Sequence, residues 1–154
     1  MSSLPSNNTT IKKHSTLKLL LAVSRPEFLP ANSASLIIGL AWGLTLPVDV
    51  FWGLAVPMIL AFVVISLVAA FAAHVNTMSD FELDKKDDTK NELVQAMSQL
   101  GKSKLKIVML IEVSLSLVFL LVLGFIQAKP GLLFMWLAAV FLAFAYSGQS
   151  LRLK

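Results

Sequence analysis

The sequence predicts an all-α transmembrane helical bundle, on three grounds: an apolar composition, long intervals without charge, and basic residues confined to one side of those intervals. Apolar side chains make up 56% of the 154 residues and charged ones 14%, with a mean hydropathy of +0.77. A water-soluble domain of this size needs more polar surface than that. Residues 50–75, 107–127 and 130–151 carry no charge apart from His74 and Glu112, and a helix needs roughly 20 mainly apolar residues to cross the hydrocarbon. Of the 13 Lys and Arg residues, only Lys129 falls on the far side of these intervals. Because cytoplasmic flanks are rich in Lys and Arg, the pattern predicts four spans with both termini cytoplasmic, in a multi-pass protein of the cell membrane.

The elements follow in order. Residues 1–15 form a polar cytoplasmic tail ahead of a membrane domain, 16–154. The apolar run from Leu19 to Val23 is too short for a signal-peptide core, so no cleaved leader is expected. Residues 16–29 hold apolar side chains with Lys18 and Arg25, and Pro26 interrupts them. They suggest a helix lying in the membrane interface. The first span is placed at about 30–46, and its Gly39 and Gly43 have the spacing that lets helices approach closely. The second is placed at about 50–79, with Pro57 expected to bend it. A cytoplasmic acidic loop, 80–104, precedes the third and fourth spans at about 105–127 and 130–150. Short outer connections lie near Pro47-Val48-Asp49 and Gln127-Ala128-Lys129-Pro130.

Several function classes are excluded or disfavoured. The chain has no cysteine, which removes disulfides and thiolate metal sites and leaves oxygen and nitrogen groups for any chemistry. Its net charge is +4, but the basic residues border apolar spans instead of interleaving with aromatics, so no nucleic acid partner is expected. Trp42, Trp52 and Trp136 suit lipid-facing or interfacial anchors. Glu112 is read as snorkelling or pairing near Lys106 at the membrane edge, with a site-facing role as the other choice. His74 is read as an interfacial structural residue, with an acceptor-side base as the other choice.

Six of the nine acidic residues lie between Asp80 and Glu92. If the second helix continues past Val75, then Asn76, Asp80 and Asp84 follow at i, i+4 and i+8 along one face. The row would be about 12 Å long at 1.5 Å per residue, too long for one ion to be held by all three. Its length suits a diphosphate with one or two magnesium ions, because magnesium shares its shell with substrate phosphates and water. Lys85, Lys86 and Lys90 are candidates to neutralise phosphate oxygens. The bland alternative is a solvated loop of mixed charge; against it, carboxylates at a membrane edge are costly unless used.

The segment Asn76-Thr77-Met78-Ser79-Asp80-Phe81-Glu82-Leu83-Asp84 resembles the first aspartate-rich motif, NDxxDxxxD, of the UbiA superfamily of intramembrane prenyltransferases. Thr77 stands where the pattern has aspartate. Two further segments resemble the family in the same order, Ser24-Arg25-Pro26 and the run from Tyr146 to Lys154, which is similar to a YSxPPxRLK pattern. The resemblance covers the first half of the family's fold of about nine helices. The 154 residues contain no second aspartate-rich motif, and Lys90-Asn91-Glu92-Leu93 stands where the family often has Arg-Pro-Leu.

The resemblance implies Mg2+-dependent transfer of an isoprenoid chain from a prenyl diphosphate to a hydrophobic acceptor. It implies Asn76, Asp80 and Asp84 as metal ligands, Asp80 and Asp84 as the catalytic pair, and Lys90 as a further diphosphate contact. Membrane lipids and a second half-subunit or second copy are the expected partners. The chain's end at Leu151-Arg152-Leu153-Lys154, where the family continues into another helix, leads to the expectation of a split or truncated protein. The alternative from another class is a noncatalytic four-helix membrane protein, a transporter subunit or assembly factor, whose acidic loop binds a cation or partner.

Overall fold

A computed structural model of the protein describes residues 15–24 and 29–147. Lys12, Lys13, Arg25, Pro26, Arg152 and Lys154, with most of the two outer segments of the family resemblance, lie outside the described residues. The rest is helical throughout: α1 (Thr16–Val23), α2 (Leu29–Gly43), α3 (Val48–Asp84), a 3-10 turn (Asp88–Lys90), α4 (Asn91–Leu100), α5 (Lys102–Gln127) and α6 (Gly131–Ser147).

Helix α3 organises the molecule. Its 37 residues extend about 55 Å at 1.5 Å per residue, against a hydrocarbon core of about 30 Å. It runs unbroken through Pro57, whose ring is buried. Helices α3 and α5 are each long and apolar enough to cross a membrane, and only 22% of each apolar stretch is buried within the protein. Phe125 is 89% exposed and Trp42 75% exposed, so the outer face is apolar in the way a lipid-solvated surface is and a water-soluble core helix is not. Helix α2, at 15 residues, and α6, at 17, are apolar but fall short of about 20 residues. For α2 the cause is local. The chain leaves the helix at Gly43, Thr45 and Leu46 donate back to Trp42 and Gly43, and Pro47 starts α3.

Two clusters hold the helices together. At the charged end, Val23 of α1, Phe71, Val75 and Phe81 of α3, Met97 and Leu100 of α4, and Leu105 and Met109 of α5 form one core. Where water reaches that end, each large apolar side chain contributes about 1.5–3 kcal/mol. Deeper in the bundle, Val64, Leu120 and Trp136 join α3, α5 and α6, where close packing and hydrogen bonds replace the hydrophobic effect. Trp136 is 8% exposed and donates through Nε1 to Ser116 Oγ at 3.0 Å, so it is a core residue and not a lipid anchor. Gly39 and Gly43 do bring α2 close to α3: an added Cβ would come within 2.8 Å of Met58 Cε and 3.1 Å of Phe51 Cδ2.

The segment expected to be a loop, 80–104, is mostly helix. Helix α3 continues to Asp84, and α4 buries Ala96, Met97 and Leu100 with Leu93 packed beside them. That is a helical repeat on one face, which the dense charge around it obscures. Gly101 links α4 to α5 at φ 81, a conformation that L side chains disfavour. At the far end of α5, Ala128 takes φ 50, where glycine is the usual residue, while Lys129 N–H closes on Gly124 O at 3.1 Å, a helix-ending pattern that needs one left-handed residue. Gly101→Ala is expected to lower stability by about 1 kcal/mol and Ala128→Gly to leave it equal or raise it, as read by thermal unfolding in detergent.

Candidate functional site

The acidic row sits on one continuous helix. Asn76, Asp80 and Asp84 all belong to α3, and successive members turn by about 40° around its axis. Asp84 is 3% exposed, whereas Asn76 and Asp80 are half-buried, and neither of these two is a free group. Among the described residues, no three acidic or histidine side chains converge as a single metal cage would require.

Lys90 meets this row directly. Its Nζ lies 2.5 Å from Asp84 Oδ1, across a turn of the chain closed by Asp87 N–H to Asp84 O at 3.1 Å and Lys90 N–H to Asp87 O at 3.0 Å. Among the described residues Asp84 Oδ2 is buried with no hydrogen-bond partner, and so is Thr77 Oγ1. A buried carboxylate with one unmatched oxygen is costly unless a donor or cation completes it, and oxygen ligands of this kind suit magnesium. Position 77 faces inward at 1% exposure. An aspartate there would bury a charge.

The other lysines are spread differently. Lys85 Nζ lies 3.1 Å from Glu82 Oε2 and 4.4 Å from the Phe81 ring centroid. Lys102, from the start of α5, reaches the same pair, 3.9 Å from Glu82 Oε1 and 5.5 Å from the Phe81 ring. Lys86, Lys104 and Lys106 are exposed. Around this end of the molecule Lys85 and Lys102 are therefore drawn to the exposed Glu82, and Lys90 to the buried Asp84. Asp87 caps the 3-10 turn: Thr89 Oγ1 donates to its Oδ1 at 2.6 Å and Thr89 N–H at 3.0 Å. These bonds, the side-chain one first, hold the Asp87 carboxyl below its usual 3.8.

One polar group was undervalued in the sequence. His74 is 1% exposed and links three helices, with Nδ1 2.9 Å from Glu112 Oε2 and Nε2 2.9 Å from Ser24 Oγ. Glu112 thus pairs with His74, not with Lys106. Ser24 Oγ also reaches Leu20 O at 2.7 Å, and which atom donates in the two histidine contacts follows the ring's tautomer. The order serine, histidine, carboxylate is that of a nucleophile relay. Here the serine hydroxyl also reaches a backbone carbonyl and the ring is sealed from solvent, so the chain works as a clamp between α1, α3 and α5. The sequence signal for it was the polar residue in each apolar stretch, but which of them meet is a tertiary fact.

Beside this clamp runs an apolar groove of about 410 Å³ between α3, α5 and α6, lined by residues that include Val64, Val68, Ala72, Leu123, Trp136 and Ala139. Ala72 precedes Asn76 by one helical turn, about 6 Å. Comparison with family models, curated proteins and solved structures finds no match for this chain.

Two outcomes test this geometry. Glu112→Ala should lower stability by about 1–3 kcal/mol, since it leaves a buried ring nitrogen unmatched, and its effect with His74→Ala should be less than additive in thermal unfolding; additive losses would mean the contact does not form. Thr89→Ala should raise the Asp87 pKa toward 3.8 in an NMR titration. Because the folded value is the lower one, the Asp87 contribution is present above the unfolded pKa and is lost as pH falls through the folded value.

Proposed function

We propose that the chain is the N-terminal half of a UbiA-type intramembrane prenyltransferase, in which Asn76, Asp80 and Asp84 hold a magnesium-bound prenyl diphosphate at the cytoplasmic edge of a four-span bundle. The opposite wall of the site comes from outside these 154 residues, from further sequence, a second subunit or a second copy. The observation that carries the reading is Asp84, a carboxylate 3% exposed with one oxygen that has no hydrogen-bond partner among the described residues, at the end of a helix that also bears Asn76 and Asp80. The motif resemblance supports it, and so do the cations of Lys85, Lys86, Lys90 and Lys102 around the same helix end and the apolar groove one turn away.

In this reading α2 and α6 complete the four spans, and the basic flanks set both termini on the cytoplasmic side. The chemistry breaks the allylic C–O bond, leaves the electron pair on the departing diphosphate, and joins the allylic carbon to an electron-rich acceptor that gives up a proton. Magnesium, when bound, supplies Lewis-acid stabilisation of the leaving group. Asp80, Asp84 and Asn76 fix its position, the lysines offset phosphate charge, and the groove takes an isoprenoid tail away from water. No side-chain nucleophile is needed.

The test uses purified chain, alone and with a partner half, and a labelled prenyl diphosphate. Binding should require magnesium and should weaken at least about tenfold in Asp80→Asn and in Asp84→Asn, the loss of about 1.4 kcal/mol. Binding that is absent, or indifferent to both substitutions, rejects the enzyme in favour of a noncatalytic membrane protein.

A further inference from the structure

We propose that Lys90 is a tethered internal cation that occupies Asp84 until a divalent metal displaces it, and that the released ammonium then meets the diphosphate, so that metal binds before diphosphate. This rests on the reading of the acidic row given above and adds to it an order of events.

The pair is unequal in a way that allows exchange. The Asp84 side chain is 4% exposed and that of Lys90 39%, so the carboxylate is fixed in the protein while the ammonium stands on the wet side of it. Lys90 contacts Oδ1, and among the described residues Oδ2 has no hydrogen-bond partner. A monovalent ammonium thus meets half of what the carboxylate offers, and a divalent ion bound to both oxygens, or to one with water on the other, meets more of it.

The backbone carrying Lys90 has no need to move. The turn from Asp84 to Lys90 is closed by its own hydrogen bonds and capped by Asp87 on Thr89, so the exchange is a swing of a four-carbon stem. The neighbouring cations do not substitute for it, because Lys85 and Lys102 are both turned to Glu82 and the Phe81 ring. Charge accounting gives the order. With Lys90 on Asp84 the two charges cancel, and the Lys90 ammonium is not available to an anion. A divalent ion in its place raises the local charge by two and frees Lys90 beside it, which makes a diphosphate site out of a closed ion pair.

The experiment uses the full chain in nanodiscs, with Mn2+ as the metal probe read by electron paramagnetic resonance and inorganic pyrophosphate as the anion probe. Lys90→Met removes the competitor, and Mn2+ affinity should rise about fivefold, the competition expected of a partly exposed pair. Pyrophosphate binding in the presence of Mn2+ should weaken. Lys90→Arg should keep affinity close to that of the unaltered chain. In the unaltered chain, acylation of the Lys90 amine, followed by mass spectrometry, should accelerate when Mn2+ is added. That last measurement needs no variant and decides the matter if Lys90→Met fails to fold. Mn2+ binding that Lys90→Met leaves unchanged or weakens, or Lys90 labelling indifferent to Mn2+, overturns the exchange and spares the metal site. A chain that binds no Mn2+ with or without Lys90 overturns the site and the exchange together.

Discussion

The structure depends on a single helix that is longer than the layer it would cross. Helix α3, at about 55 Å, exceeds the hydrocarbon thickness of about 30 Å by roughly four fifths, and every other long element packs on it. The excess is where the polar chemistry sits. Asn76, Asp80 and Asp84 occupy its last turns, α4 and the start of α5 fold around them, and α1 is clamped alongside through His74. A helix cut to bilayer length would end before the acidic row began, and the row would be loop.

Polar groups inside the bundle are handled in two ways. Ser116 donates to Val113 O and accepts from Trp136; His74 uses both ring nitrogens. These groups are matched, and each fixes one helix against another, because an unmatched polar atom in an apolar surround is expensive. Thr77 and Asp84 lie on the same buried face of α3 and are left partly unmatched. Ser66 Oγ and Gln99 Nε2 are unmatched among the described residues as well, and what sets Asp84 apart from them is its charge and its pairing with Lys90.

The placing of Asn76, Asp80 and Asp84 on one helix was legible because helical periodicity is local. Once α3 is taken to run past Val75, the i, i+4, i+8 row follows without any tertiary information, and its distance from a single-ion cage follows too. What was illegible was pairing. Lys90 read as a free cation for phosphate, yet six residues of chain fold it onto Asp84. Glu112 read as a partner for Lys106 by sequence distance, yet the antiparallel packing of α3 and α5 sets it against His74, 38 residues away. Trp136 read as an anchor because tryptophan so often lies at an interface, and the serine one helix away drew it inward.

Composition and periodicity by themselves determined that the chain is helical, that its surface is apolar over long stretches, and that its carboxylates gather at one helix end, because each of these is a property of residues close in sequence. The tertiary structure alone decided which of the charged groups are spent on one another. It also decided that the segment after the acidic row is helix: Leu93, Ala96, Met97 and Leu100 become a buried face only when α1 and α5 are there to cover them. Hydrogen bonds and ion pairs between helices are chosen by packing, and packing is not written in any one segment.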